Sequence, residues 1–335
     1  MTAATTKSKK STAQASPLYK TKRGRLYVGA CEDVLTSSAM KRQRGKVNLL
    51  LTSPPFVLNR KKKYGNLEGS EYVDWIGSLG PVFADMLCED GSIVIELGNA
   101  WEPGQPTMST LAIKALLAFQ EAGELHLCQE FICYNPARLP TPAQWVNVER
   151  SRVKDAFTRV WWLSRNPKPK ANNRNVLTPY SDSMKKLLER GTYNAGTRPS
   201  EHAIGERSFL TNNGGSIPPN VLFPSADELL DAFAAQMSEE VLAIPNTMNS
   251  DPYQKYCRDH GITAHPARMQ HKLVQFFIDL LTEKGDLVVD PFGGSNTTGW
   301  IAENTGRRWV AIEKNVEYAA ASQYRFSSSP QAKAK

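Results

Sequence analysis

An apolar run over residues 47–51, stopped at once by two consecutive prolines, most limits how this chain can fold. Such a run predicts a short buried strand, and it must end at the prolines because proline donates no backbone hydrogen bond and fixes φ. We interpret it as a buried parallel strand of an α/β sheet. The loop after such a strand lies at the carboxyl edge of the sheet, where ligands bind.

The residues of this loop indicate a flat base as the ligand. Ser53 offers a hydroxyl, Pro54 and Pro55 offer stiff carbonyl acceptors, and Phe56 offers a flat apolar face. An exocyclic amine on a planar ring needs acceptors and a stacking partner of this kind. These residues alone leave an alternative open, which is a proline-stopped strand that binds nothing.

A second unit of strand and loop lies near the end of the chain. Residues 286–290 predict a buried strand, and a loop with two glycines, a helix and a further strand at 309–313 follow it. This order is typical of the nucleotide-binding unit of a doubly wound sheet. The loop is neither a Walker A loop nor the G-x-G-x-x-G dinucleotide fingerprint. Asp290 would repel a pyrophosphate but suits an ammonium and a sulfonium group, which favours S-adenosyl-L-methionine over NAD.

Two further acids stand at informative positions. Glu313 lies 23 residues after Asp290, at the end of the next strand, where it can accept hydrogen bonds from both ribose hydroxyls. Glu96 interrupts the apolar strand predicted at 92–98. A carboxylate inside a buried strand is costly unless it has a partner or a function, so Glu96 is either functional, ion-paired or outward-facing.

The whole pattern predicts an α/β protein with a doubly wound, Rossmann-like sheet. The remaining strands are predicted at 25–29, 127–134 and 157–163, and the helices at 70–87, 107–121, 183–190, 226–238, 267–281 and 316–324. A turn is predicted at Asp90 and Gly91. Residues 166–260 are rich in Pro, Asn, Ser and Gly, which indicates a loop-rich insertion that either reads base edges or is merely structural.

The positive charge of the chain is local. The net charge is +8; residues 1–25 contribute +7 and the last two lysines +2, which leaves −1 for the body. A DNA-binding surface would therefore depend on clusters, and the run Arg60, Lys61, Lys62 and Lys63 before Tyr64 is one, directly after the candidate catalytic loop. The basic N-terminus is either a solvated tail or an arm that touches phosphates.

The composition argues against a membrane-spanning, a secreted or a zinc-binding protein. No apolar run reaches membrane-spanning length, and the lysine-rich N-terminus has no signal-peptide core. Five scattered cysteines without a C-x-x-C pair suit reduced thiols in a cytoplasm and argue against zinc. We therefore expect a cytoplasmic protein, prokaryotic or phage-encoded, without a metal site.

Both loops together resemble a known family. Ser-Pro-Pro-Phe at 53–56, the stretch 288–299 and His-Pro-Ala-Arg at 265–268 resemble the amino-methylating DNA methyltransferases of restriction–modification type, in the permuted order where the catalytic motif precedes the cofactor motif. The resemblance covers about residues 25–326. The serine is typical of the cytosine-N4 branch, since adenine-N6 members usually carry Asp or Asn there.

The resemblance implies a division of the chain and a set of cofactor residues. It gives a disordered tail at 1–18, catalytic and cofactor halves at 19–165 and 261–326, a target-recognition region at 166–260 and a second tail at 327–335. The implied S-adenosyl-L-methionine residues are Gly29, His265, Pro266, Asp290, Phe292, Gly293, Gly294, Ser295, Asn296, Thr297 and Glu313.

One departure concerns the adenine end of the cofactor. Relatives tend to have Gly-Asp after the first strand, whereas Gly29 is followed here by Ala30 and Cys31. Either Glu32 or Asp33 substitutes for the missing acid, or the backbone alone holds the adenine.

The implied mechanism is orientation of a flipped base. Ser53 and the Pro54 carbonyl would hold the cytosine amine, Glu96 would receive its proton through Ser53, and Phe56 or Tyr64 would stack on the extruded base. The partner is duplex DNA, with a cognate restriction endonuclease acting on the same site and a monomeric enzyme as further expectations. An adenine-N6 methyltransferase, a nicotinamide dehydrogenase and a non-catalytic DNA-binding module remain as alternatives.

Overall fold

The computed structural model describes residues 16–56, 69–135, 138–222, 252–265 and 268–326. The strands in these ranges are β1 (Tyr19–Lys20), β2 (Gly24–Val28), β3 (Val47–Thr52), β4 (Leu87–Gly98), β5 (His126–Tyr134), β6 (Phe157–Ser164), β7 (Gly196–Thr197), β8 (Ala203–Ile204), β9 (Val221–Leu222), β10 (Leu287–Asp290) and β11 (Arg308–Glu313). The α-helices are α1 (Cys31–Thr36), α2 (Gly69–Met86), α3 (Leu111–Ala122), α4 (Asp182–Arg190), α5 (Pro252–Asp259), α6 (His271–Leu281), α7 (Thr297–Asn304) and α8 (Val316–Ser322). Short 3₁₀ or π turns lie at Lys41–Gln43, Gln144–Val148, Asn173–Val176 and Gln323–Phe326.

Nine strands form one sheet in the order β1-β2-β11-β10-β3-β4-β6-β5-β9. The five strands from β2 to β4 in this order are parallel to one another, whereas β1 runs antiparallel to β2 and β6 runs antiparallel to both β4 and β5. The carboxyl ends of β11, β10, β3 and β4 therefore meet at one edge, with β3 in the middle. The predicted doubly wound, Rossmann-like sheet is confirmed.

Helices cover both faces of the sheet, which explains why its central strand β3 is mostly apolar. Leu50 of β3 belongs to a cluster with residues of α1, α2 and α3. Leu49 and Leu51, which point the opposite way, belong to a cluster with residues of α6, α7 and α8. Since successive side chains in a strand face opposite sides, a strand buried on both faces needs an unbroken apolar run.

The structure corrects two local predictions. Asp90 and Gly91 do not form a turn but lie inside β4, and an irregularity in the β3–β4 register between Val47 and Leu49 accommodates the longer strand. The helix predicted from residue 107 begins only at Leu111, because Trp101 and Met108 pair as an isolated bridge that holds the preceding segment extended.

The described part of the insertion contains few regular elements. Helix α4 confirms the helix predicted at 183–190, β7 and β8 form a separate two-stranded sheet, and β9 joins the edge of the main sheet beside β5. The helix predicted at 226–238 and most of both predicted tails lie outside the described residues. None of the described helices has the length and apolar character needed to cross a membrane.

Candidate active site

Asp290 lies at the centre of the site, at the end of β10 and 2% exposed. Its Oδ1 accepts hydrogen bonds from the hydroxyl of Thr52 at 2.7 Å and the backbone N–H of Phe292 at 3.1 Å, and its Oδ2 accepts from the hydroxyl of Thr298 at 2.7 Å. Burial raises the pKa of Asp290 to about 6, against the opposing effect of these hydrogen bonds. The site thus holds a carboxylate that would gain from a nearby cation.

The glycine loop after Asp290 packs so closely against its neighbours that larger residues would not fit without a shift. The N–H of Gly293 bonds to the carbonyl of Ile312 at 2.7 Å, and a Cβ on Gly293 would lie 3.1 Å from Ala311. Gly294 has a φ of +51°, and a Cβ there would lie 3.2 Å from the ring of His265. The loop therefore lies tightly against its neighbours, as expected for a backbone that approaches a ligand.

The rest of the loop starts helix α7. Ser295, Asn296 and Thr297 are each at most 3% exposed. Asn296 caps the helix, with its side-chain oxygen accepting from the N–H of Gly299 at 3.0 Å. The structure brings these residues beside Asp290 and buries them, so a cofactor would meet mainly their backbone rather than their side chains.

Glu313 closes the other side of the loop. Its Oε2 accepts from the N–H of Gly294 at 2.8 Å and its Oε1 from the N–H of Asn315 at 2.8 Å. Burial raises its pKa, while the backbone hydrogen bonds oppose this. Gly29 is adjacent, because its N–H bonds to the carbonyl of Glu313 at 3.1 Å. Glu313 therefore helps to hold the glycine loop in place.

His265 is also brought to the loop, although it is distant in sequence. Its ring contacts Gly294 and lies edge-on to Tyr318 at 4.7 Å between centroids. The backbone N–H of His265 donates to the hydroxyl of Tyr253 at 2.9 Å. Pro266, the other predicted residue of this motif, lies outside the described residues.

Trp75 is a site neighbour that the sequence did not single out beyond its place on a helix. Its indole N–H donates to Oε1 of Glu32 at 2.6 Å, and its ring lies edge-on to Phe292 at 5.7 Å. Burial alone would raise the pKa of Glu32, but hydrogen bonds from Trp75, its own backbone and Cys31 lower it. Of the two acids considered after Gly29, Glu32 is thus the one connected to the cofactor loop.

The predicted catalytic loop follows β3 at the same edge. Pro54 is buried, whereas Ser53, Pro55 and Phe56 are partly exposed. Phe56 packs against Gly98 at the end of β4, where a Cβ would lie 3.2 Å from its ring. The Thr52–Asp290 hydrogen bond thus joins the strand that precedes the catalytic loop to the strand that precedes the glycine loop.

Glu96 lies on β4 beside the catalytic loop. Thr52 pairs with Ile95, so Ser53 and Glu96 each follow directly after these paired residues. Oε1 of Glu96 accepts from the hydroxyl of Thr158 at 2.9 Å. Burial raises the pKa of Glu96, while the hydrogen bond from Thr158 and the charge of Arg138 lower it. A carboxylate with a raised pKa is suited to take up a proton.

The predicted DNA-contacting residues Arg60, Lys61, Lys62, Lys63 and Tyr64 lie outside the described residues. Within the described ranges, no three His, Cys, Asp or Glu residues come together as metal ligands would.

The chain is similar to known DNA methyltransferases. The model of a family described as DNA methylase matches residues 47–324. Type II methyltransferase M.PvuII from Proteus hauseri is 44% identical over 312 residues, which cover 92% of this chain and 85% of the relative. The DNA adenine methyltransferase YhdJ of Escherichia coli is 36% identical over 75 residues, 22% of this chain and 25% of the relative.

A solved structure agrees with the sequence match. The PvuII DNA methyltransferase, described as cytosine-N4-specific, superposes with a TM-score of 0.70 at 36% identity, covering 94% of this chain and 89% of the other.

Proposed function

This chain belongs to the DNA methylase family, and we propose that within it the chain methylates the N4 amino group of cytosine at a specific site in duplex DNA. Methyl transfer from S-adenosyl-L-methionine is the activity of the family. The similarity to a cytosine-N4-specific enzyme over nearly the whole chain supports the choice of base. The serine at position 53 supports it independently.

The observation that carries the proposal is the place of Ser53. It follows Thr52, which is bonded to Asp290 and pairs with Ile95, the residue before Glu96. This register supports a site in which a hydroxyl, a carboxylate and the glycine loop share the edge of the sheet where ligands of α/β proteins bind. No feature of a dehydrogenase or of a merely DNA-binding module requires this combination.

The residues present fit S-adenosyl-L-methionine. Asp290, which is buried, and Glu313, which is partly exposed, flank a glycine loop in which a Cβ would crowd its neighbours. We assign Asp290 to the ammonium end, Glu313 to the ribose, and Phe292 with Trp75 and Glu32 to the adenine end. When bound, the cofactor supplies an electrophilic methyl group on a sulfonium.

The protein's own contribution is orientation and proton transfer. The Ser53 hydroxyl and the Pro54 carbonyl accept hydrogen bonds from the cytosine amine and aim its nitrogen at the methyl group. Ser53 passes the amine proton to Glu96. Phe56 stacks on the flipped base. Arg60–Tyr64 and the insertion at 166–260 supply the DNA contacts that position the duplex.

The biological setting is part of the proposal. Modification of one DNA site protects it from a cognate restriction endonuclease in the cytoplasm of a bacterium, and a monomer suffices because each strand is methylated separately. Light scattering of the purified protein, alone and with DNA, tests the monomer.

The deciding experiment is identification of the product. The protein is incubated with duplex DNA of varied sequence and S-adenosyl-L-methionine carrying an isotopic methyl label, and the digested nucleosides are analysed by mass. We expect labelled N4-methylcytosine, absent with a Ser53→Ala, Glu96→Gln double variant. N6-methyladenine instead would contradict the assignment of the base, and mapping of the labelled site identifies the sequence for the experiments below.

A further inference from the structure

The loop at residues 138–156, which connects β5 to β6, lies beside the catalytic edge. Because β6 runs antiparallel to β4, with Gly98 paired to Thr158, the start of β6 lies where β4 ends. Asn99 donates from its amide to Oδ1 of Asp155 at 2.9 Å, which fixes the end of the loop there. Phe56 packs against Gly98 at the same point. The end of the loop therefore lies beside the predicted catalytic loop.

This loop is held in a defined conformation. Arg138 donates to the carbonyl of Phe157 at 2.8 Å, and Arg152 donates from Nε to the carbonyl of Pro106 at 2.8 Å. The N–H of Ser151 bonds to the carbonyl of Trp145 at 2.9 Å. The loop can therefore present side chains without first having to order itself, which is a cost that binding would otherwise carry.

Two apolar side chains of this loop project into solvent. Val153 is 87% exposed and Val148 is 70% exposed, more than any other large apolar residue in the described ranges. Single exposed apolar residues are ordinary on protein surfaces. Two of them on one ordered loop, at the edge that must meet the substrate, indicate a surface that is covered when substrate binds.

The charges around the two valines identify the class of partner. Arg150 and Arg152 lie between the valines, Lys154 follows the second one, and Glu149 is the one acid from 148 to 154. Cations of this density suit a phosphate backbone. Apolar side chains that enter a duplex between cations that touch its phosphates are a recurring arrangement in proteins that unstack DNA.

We propose that Val148 and Val153 enter the DNA duplex beside the target base and fill the space that the flipped base leaves, while Arg150, Arg152 and Lys154 contact the flanking phosphates. This inference rests on the proposed function, since only an enzyme that extrudes its target base needs such a filler. Flipping costs the stacking and pairing of one base. Apolar contact with the neighbouring bases offsets that cost and lengthens the life of the extruded state.

The test uses a Val148→Ala, Val153→Ala double variant of the full chain, with Leu117→Ala as the matched control. Leu117 is a 55% exposed apolar residue on α3, outside the site. Each protein is titrated with an unmethylated duplex that contains the recognition sequence, either fully paired or with a mismatch at the target cytosine. Fluorescence of pyrrolocytosine at the target position reports extrusion, and calorimetry with S-adenosyl-L-methionine reports the cofactor site.

We expect the double variant to bind the paired duplex roughly tenfold more weakly than wild type and to lose most of the extrusion signal. A mismatch at the target should restore much of that signal, because an unpaired base leaves the stack at less cost. Cofactor affinity and the control variant stay unchanged. An unchanged affinity and extrusion signal in the double variant, or a lost signal that the mismatch does not restore, would overturn the filler role. If wild-type protein methylates no DNA, the proposed function itself fails, and the inference with it.

Discussion

Thr52 donates a hydrogen bond of 2.7 Å to Oδ1 of Asp290, which joins the last residue of β3 to the last residue of β10. Both residues are buried, with Thr52 at 0% and Asp290 at 2% exposure. The two loops that carry the site begin directly after these residues. The position of the catalytic loop relative to the cofactor loop therefore depends on one buried contact as well as on the sheet.

Replacing Thr52 with valine tests this contact, because the two side chains have nearly the same shape. Loss of the hydroxyl removes one donor from a buried carboxylate, and we expect the free energy of unfolding to fall by about 1–3 kcal/mol. Affinity for S-adenosyl-L-methionine should fall as well, since Asp290 is no longer held. Chemical denaturation and calorimetry measure the two effects.

Thr305→Val is the control for this substitution. Thr305 bonds to the carbonyl of Ile301 at 2.8 Å at the end of α7, away from Asp290. It should affect cofactor affinity little. Equal effects of the two substitutions on that affinity would argue against a specific role for the Thr52 contact.

The raised pKa of Asp290 predicts a pH dependence of cofactor binding. Its pKa rises from the ordinary 3.8 to about 6 because the side chain is buried. A cationic cofactor favours the ionised form, so affinity should rise roughly tenfold between about pH 5 and pH 7 as the carboxyl ionises. Calorimetric titration at several pH values measures the slope.

An Asp290→Asn variant isolates the contribution of this group. Its affinity should be lower and nearly independent of pH over the same range. The free energy of unfolding of the wild-type protein has the opposite pH dependence. Because the pKa of Asp290 is higher in the folded than in the unfolded protein, this free energy falls as pH rises from about 4 to about 6. An unchanged pH slope of affinity in Asp290→Asn would assign the titration to another group.

Much of the site could be predicted from sequence because its residues follow strands directly. The apolar run before Ser53 and the one ending in Asp290 mark neighbouring strands, and parallel strands bring their carboxyl ends together. The contacts across the sequence could not be predicted. Glu32 reaches Trp75 only through the packing of α1 against α2, and no local pattern encodes that pair.

The two local predictions that were wrong also failed because contacts between residues separated in the sequence decide the structure there. Asp90 and Gly91 favour a turn locally, yet pairing with neighbouring strands keeps them inside β4. The central strands could be predicted because burial on both faces of the sheet requires apolar residues in them. The ends of elements, such as the start of α3 at Leu111, depend on bridges made by residues outside the element.

Glu96→Gln tests the proposed proton acceptor. The amide keeps the shape and can still bond to Thr158, but it cannot take up a proton, so we expect single-turnover methylation to fall roughly 100-fold. Affinities for DNA and cofactor should stay near wild type. Full turnover in this variant would exclude Glu96 as the acceptor.

Thr158→Val provides a graded companion to that test. The hydroxyl of Thr158 lowers the pKa of Glu96 by bonding to it, against the effect of burial. Without the bond, the pKa of Glu96 should rise further, so the acid limb of the pH–rate profile moves to higher pH while the rate at its plateau is retained. A profile unchanged from wild type would indicate that another group sets the acid limb.

Arg325 lies beneath the cofactor loop, 1% exposed, and donates from Nε to the carbonyl of Ser295 at 2.6 Å and from Nη2 to its hydroxyl at 3.1 Å. Its guanidinium also lies 4.9 Å from the ring centroid of Tyr253. Lysine keeps the charge but cannot reproduce this forked geometry. We therefore expect Arg325→Lys to weaken binding of S-adenosyl-L-methionine several-fold while DNA affinity is kept.

Arg307→Lys is the matched control for this prediction. Arg307 is another buried arginine, 7% exposed, which donates to the carbonyl and hydroxyl of Thr282 rather than to the cofactor loop. Both variants should lose stability, since each leaves an acceptor poorly paired, at a cost of about 1–3 kcal/mol. Only Arg325→Lys should also weaken cofactor binding, because only that guanidinium contacts Ser295. Equal cofactor affinities in the two variants would show that Arg325 stabilises the fold without shaping the loop.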